Sequence, residues 1–62
     1  MTALITSRNV DRPDDAYDLL LSAHEGLTKE ESDALNARLI LTLFNHVGDI
    51  EVIREAIEVA RA

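Results

Sequence analysis

Residues 28–49, TKEESDALNARLILTLFNHVGD, contain the signals that set the architecture of this 62-residue chain. The stretch opens with Thr28-Lys29-Glu30-Glu31, a capping-box pattern in which the side chains of Thr28 and Glu31 each accept a hydrogen bond from the other residue's backbone N–H. It closes at Gly48, a residue type that commonly follows the last turn of a helix. The pattern predicts a helix over residues 29–47.

Apolar residues cover well over half of the circumference of this predicted helix. At about 100° per residue they form one broad arc: Ala34, Leu35, Ala37, Leu39, Ile40, Leu41, Leu43, Phe44 and Val47. A helix that is apolar on nearly every side is usually a buried one. We therefore expect this helix at the centre of the fold, with Phe44 in the core.

Shorter amphipathic segments flank the central helix on both sides. Asp11 is a suitable N-cap for a helix over residues 13–25, and Gly26 follows its end. Asp49 is a suitable N-cap for a helix over residues 50–61. The sequence therefore predicts an all-α fold, a three-helix cluster in the form of a short antiparallel or orthogonal bundle. Residues 11–62 form this single domain, and residues 1–10, which show no helical period, form a flexible N-terminal arm.

The small size of the chain favours association with another chain. A domain of this length removes only about 60% of its unfolded surface from water, and without cysteine it has no disulfide to compensate. Three helices of these lengths also cover less apolar surface than the central helix presents. We expect a homodimer with an isologous contact, in which Leu39, Leu43 or Phe44 packs on its symmetry mate or on the third helix.

Charge and hydropathy exclude several classes of partner. Twelve acidic residues against six basic ones give a net charge of −6, which opposes binding to nucleic acids and to anionic lipids. The longest apolar runs, Leu19–Leu21 and Leu39–Leu41, are far too short for a membrane span. Arg8 follows Leu4 and Ile5, the reverse of the order in a signal peptide. We expect a cytoplasmic protein.

No pattern typical of an enzyme or a cofactor site occurs in the sequence. It has no cysteine nucleophile, no glycine-rich phosphate loop and no nucleophile elbow. Ser7, Ser22 and Ser32 have no histidine at a spacing that local geometry would bring within hydrogen-bond range. We therefore expect a protein that is not an enzyme and that carries no cofactor.

The two histidines are weak candidates for a metal site. His24 and His46 lie near the ends of the first two helices, each close to a carboxylate, so they approach each other only if those helix ends meet. The simpler interpretation is that His24 borders an apolar arc and that His46 interacts with the helix dipole. We expect no bound metal. The alternative to an interaction module is a small-ligand or metal site formed at a dimer seam by His24, His46 and Arg38.

Polar residues form a narrow line along the central helix. Arg38, Thr42 and Asn45, continued by His46, lie on one edge of an otherwise apolar surface, and we call them the polar stripe. One interpretation is a solvated strip in which the Arg38 stem covers leucines. The other is a set of directional contacts that fixes the register of a partner. The candidate partner contacts are therefore Arg38, Thr42, Asn45, His46, Leu39, Leu43 and Phe44.

Several short motifs resemble a known protein family over residues 14–60. The most specific are Asn-Ala-Arg-Leu within residues 34–41 and Asn-His-x-Gly-Asp at residues 45–49, and the segment at residues 23–27 and Tyr17 agree with them. They resemble a family of very small bacterial proteins known as a domain of unknown function. The resemblance implies genes often placed beside FAD-dependent aromatic-ring monooxygenases, and hence an accessory subunit. It assigns no catalytic residue, and its motif positions are Asn36, Arg38, Asn45, His46, Gly48 and Asp49.

These observations predict a non-catalytic protein–protein interaction module. Its partner is either a second copy of the chain or a larger protein, such as a flavin monooxygenase.

Overall fold

The computed structural model describes residues 3–62, which form three α-helices. They are α1 (Pro13–His24), α2 (Lys29–Val47) and α3 (Ile50–Arg61), and no strand occurs within the described range. The predicted all-α, three-helix fold is confirmed, and the helix bounds differ from the expected ones only at the end of α1. Residues 3–12 precede α1 without helical structure. Met1 and Thr2 of the predicted arm lie outside the described residues.

The start of α1 differs from the prediction. Arg12, with φ −133° and ψ 75°, occupies the N-cap position, and no side chain caps this end of the helix. A residue that precedes proline is disfavoured in the helical region, so Arg12 remains extended and Pro13 becomes the first helical residue. Asp11 then lies one position too early to reach the first free N–H groups. The prediction of Asp11 as the N-cap was wrong.

The connection between α1 and α2 is confirmed in detail. Gly26 has a φ of 76°, the left-handed conformation that ends α1, and the Leu27 N–H donates to the His24 carbonyl oxygen at 3.2 Å. The Thr28 N–H donates to Glu31 Oε1 at 2.9 Å, and the Glu31 N–H donates to Thr28 Oγ1 at 3.2 Å. Both halves of the capping box are therefore present.

A second glycine and a second cap join α2 to α3. Gly48 has a φ of 71°, and its N–H donates to the Phe44 carbonyl oxygen at 2.9 Å. Asp49 Oδ1 accepts hydrogen bonds from the N–H groups of Glu51 at 2.9 Å and Val52 at 3.3 Å. Gly48 and Asp49 alone connect the two helices, so α3 begins directly after them and contacts α2.

No side chain in residues 3–62 is buried, which is the main departure from the sequence-based expectation. Phe44 is only half-buried, and Leu41 and Leu43 of α2 are 65% and 51% exposed. The prediction of a buried central helix was therefore wrong for the single chain. The physical reason is that α1 and α3 each cover only part of an apolar arc that extends around most of α2.

The molecule is elongated for its length. Its radius of gyration is 13.3 Å, whereas a compact domain of 62 residues has about 11 Å. Its principal extents are 41, 24 and 23 Å. The helices therefore form an open array with both sides of α2 accessible.

Candidate interaction surface

A groove between α1 and α2 is lined by apolar side chains alone. It has a volume of about 450 Å³, and we call it the α1–α2 groove. No charged side chain lines it. Its lining residues are Ala16, Leu19, Leu20, Ala23, Leu35, Leu39 and Leu43.

Helical spacing places these side chains along the groove. The α1 residues recur at intervals of three and four, and the α2 residues Leu35, Leu39 and Leu43 recur every four, so each set occupies one face of its helix. Leu19 is 74% exposed and Leu39 is 37% exposed. Two walls of accessible leucines therefore face open space in the single chain.

The predicted apolar contact residues lie on two different faces of α2. Leu39 and Leu43 line the α1–α2 groove, whereas Phe44 does not. Phe44 follows Leu39 by five residues, which places it about 140° further around the helix. A single flat interface on α2 cannot include all three side chains.

A hydrogen-bonded corner holds α1 against the beginning of α2. His24 Nδ1 lies 2.9 Å from Ser32 Oγ, and His24 Nε2 lies 3.0 Å from Asn36 Oδ1. Because an amide oxygen only accepts, Nε2 carries a proton in this arrangement, and in the neutral ring Nδ1 accepts from the Ser32 hydroxyl. We call these three residues the His24 clamp.

This contact was not predicted from the sequence. No serine has a histidine at a spacing that brings the two together within one helix, yet the structure brings Ser32 and His24 together across the turn that contains Gly26. Spacing rules within one helix cannot detect a contact made between two helices. The available signal was the resemblance, whose motif segments include both His24 and Asn36.

The His24 clamp has the chemistry of a structural contact. A hydrolase would need free N–H donors beside the serine to stabilise an oxyanion. Here the Ser32 N–H donates to the Thr28 carbonyl oxygen at 2.9 Å, and the Glu31 N–H is held by the Thr28 side chain. Both ring nitrogens of His24 are also engaged. The arrangement therefore suits fixing the position of α1 relative to α2.

The two candidate metal-binding histidines lie far apart within one chain. His46 follows Asn36, which contacts His24, by ten residues along α2, a rise of about 15 Å. No group of three or more histidine, aspartate or glutamate side chains suited to a metal gathers within residues 3–62. Metal binding by His24 would also break one of its two hydrogen bonds.

One residue of the polar stripe, Thr42, already forms a hydrogen bond within its own helix. The Thr42 hydroxyl donates to the Arg38 carbonyl oxygen at 2.8 Å, one turn earlier. Its single proton is therefore unavailable to a partner, although the oxygen can still accept. Asn45 and His46 are exposed near the end of α2.

Arg38 differs from the basic side chains that form ion pairs. Within the described residues, Arg12, Lys29, Arg54 and Arg61 each pair with a carboxylate three or four residues away in the chain. Arg38 makes no ion pair in residues 3–62. It borders a second hollow of about 500 Å³ beside Leu35 and the two glutamates of the first turn of α2. An unpaired guanidinium at the edge of this hollow is available to bind a partner's carboxylate.

Comparison with known proteins identifies the family of this chain. Searches of curated proteins and of solved structures found no match. None of the helices formed by residues 3–62 has the length and hydropathy needed to cross a membrane. A family model described as "Protein of unknown function (DUF2783)" matches residues 4–62, which confirms the resemblance to a small family of unknown function. The chain is a member of the DUF2783 family.

Proposed function

We propose that this protein is a non-catalytic protein–protein interaction module that works in the cytoplasm. It acts by associating with a protein chain, either a second copy or a larger enzyme for which it is an accessory subunit. The carrying observation is that a chain with 47% hydrophobic residues buries none of the side chains between residues 3 and 62.

The accessible area supports a protein partner. The chain exposes 5586 Å², whereas a folded monomer of 6.9 kDa exposes about 4,000 Å². The difference of roughly 1,600 Å² exceeds what a small molecule in one groove can remove from water. Another polypeptide is the kind of ligand that covers an area of this size.

The proposed partner can also be a larger enzyme, for which this protein would be an accessory subunit. The family resemblance implies a role beside an FAD-dependent aromatic monooxygenase, and Arg38 supplies a cation for directional recognition. The rival site formed by His24, His46 and Arg38 at a dimer seam has less support, because His24 already uses both ring nitrogens within its own chain.

Amide hydrogen exchange at several protein concentrations tests the proposal. An interaction module of this kind should show weak protection of α2 when the chain is dilute, and protection should appear on α2 as a complex forms. A dilute monomer that melts cooperatively and protects α2 fully would contradict the proposal. A chelator should leave protection and helicity unchanged, whereas their loss would favour the metal-site rival.

A further inference from the structure

We propose that the α1–α2 groove packs against the same groove of a second copy of this chain, in an isologous contact. This inference rests on the proposed function and names the partner and the surface. In the resulting dimer, α1 and α2 of both copies form a four-helix arrangement, with Leu19, Leu39 and Leu43 in the seam.

The exposed area matches the requirement of a stable dimer. A standard interface removes about 800 Å² from each partner, and obligate homodimers remove roughly 2,000–5,000 Å² in total. The excess of this chain is about 1,600 Å² per copy, so a dimer that covered it would bury about 3,200 Å². A symmetric contact that buried about half of this excess on each copy would reach the size of a standard interface.

The chemistry of the groove suits a contact between two like-charged copies. Each chain carries a net charge of −6, so two copies repel, and the repulsion is smallest when the surfaces that meet are uncharged. All seven residues that line the α1–α2 groove are alanine or leucine. Joining two such grooves buries no charge and leaves no polar side chain without a partner.

The spacing of the side chains that line the groove suits packing against other helices. Leu35, Leu39 and Leu43 follow one another at intervals of four residues, the spacing of a ridge on a helix surface. Ala16 and Ala23 leave space beside this ridge, where side chains of a second copy can enter. Two pairs of helices that present apolar faces can assemble in this way into a four-helix arrangement.

The His24 clamp sets the width of the groove in this dimer. Ala23, the neighbour of His24, and Leu35, the neighbour of Asn36, both line the groove. The His24 side chain ties α1 to the first turns of α2, so it sets the separation of the two helices at the end of the groove that contains Ala23 and Leu35. His24, Ser32 and Asn36 are positioning residues for the dimer rather than contacts within it.

Single charge substitutions on α2 test the proposal. Leu43→Glu and, separately, Leu39→Glu place a carboxylate in the seam of both copies, while Leu41→Glu is the matched control because Leu41 is 65% exposed and lies outside the groove. Sedimentation equilibrium should give a dimer for the native chain and for Leu41→Glu. The groove variants should raise the dissociation constant at least about 100-fold, because two carboxylates lose their hydration in the seam.

Cross-linking provides a second test in case the glutamate variants lose their helices. The chain contains no cysteine, so Leu39→Cys and Leu43→Cys each introduce a single thiol, again with Leu41→Cys as the control. Under mild oxidation of the dimer, a groove thiol should cross-link to its symmetry mate faster than the control thiol.

Three outcomes would overturn the inference. Preferential cross-linking at Leu41→Cys, or dissociation by Leu41→Glu alone, would place the second copy on another face. A native chain that stays monomeric at millimolar concentration would exclude the dimer. In that last case, an unprotected α2 leaves the proposed interaction module standing, whereas a fully protected α2 refutes both proposals.

Discussion

His24 shows how a single residue sets the relation between two helices. Its ring contacts Ser32 through one nitrogen and Asn36 through the other, and both partners belong to the first two turns of α2. Gly26 makes this possible, because its left-handed conformation turns the chain back directly after α1. The position of α1 thus depends on three polar side chains rather than on a buried core.

Replacing His24 tests this dependence. We expect His24→Ala to lower the free energy of unfolding by about 1–3 kcal/mol, since it removes two hydrogen bonds between partly exposed groups. Thermal melting monitored by circular dichroism measures the change. Ser22→Ala, an exposed replacement on the same helix, is the control, and equal stability of the two variants would contradict the role of the clamp.

A substitution at Arg38 can distinguish a role in partner recognition from a role in stability. Because Arg38 is exposed and makes no ion pair within residues 3–62, Arg38→Lys should leave the melting temperature unchanged. If a partner enzyme offers a carboxylate to the planar guanidinium, its binding should weaken by about 1–3 kcal/mol, because lysine cannot form the bidentate contact. Calorimetric titration of the purified partner measures this loss. A lower melting temperature would instead identify a structural role.

At the scale of the elements, local signals define the helix ends. The capping box of α2 and the Asp49 cap of α3 hold the first turns, and Gly26 and Gly48 end the helices before them. No atom outside the neighbouring residues lies closer than 3.8 Å to a side chain added at Gly48, so the space around it is open. The requirement at this position is therefore one of backbone conformation.

Substitution at Gly48 measures that conformational requirement. Gly48→Ala should lower the free energy of unfolding by about 1–2 kcal/mol, the cost of a left-handed conformation in a residue with a Cβ atom. Gly48→Asn should lower it less, since asparagine adopts this conformation more readily. Chemical denaturation of both variants provides the comparison. Equal losses would indicate that steric contact, not backbone conformation, controls the turn.

At the scale of the whole molecule, net charge and apolar surface have opposite effects on the proposed association. Four basic side chains pair with carboxylates close to them in the chain, and the surplus of acidic residues remains as a source of long-range repulsion between copies. The α1–α2 groove opposes this repulsion with a surface that contains no charge. We therefore expect the proposed self-association to depend on the ionic strength.

Salt is expected to strengthen the dimer. Raising the ionic strength from about 0.01 M to about 0.15 M shortens the screening length from roughly 30 Å to roughly 8 Å, which weakens repulsion between two chains of charge −6. The dissociation constant, measured by sedimentation at both salt concentrations, should fall. A rise would indicate a seam held by ion pairs, in contradiction to the uncharged groove.

Sequence patterns alone predict the three helices, both glycine turns and the caps of α2 and α3. These features depend on contacts within a few residues, and the spacing of Thr28 and Glu31 or the order Gly48-Asp49 already contains them. The exception is Asp11, where the restriction that Pro13 imposes on Arg12 moved the cap. Even there, the effect that displaced the cap, the restriction on a residue that precedes proline, depends only on neighbouring residues.

Only the tertiary structure reveals the His24 clamp and the exposure of α2. Ser32 and His24 meet because of the angle between two helices, and that angle depends on the turn and on side chains from both elements. The apolar arc of α2 predicts burial, but how much of it α1 and α3 cover depends on their placement. The periodicity of the sequence shows which face of α2 is apolar. The packing of α1 and α3 determines how much of that face the chain itself covers.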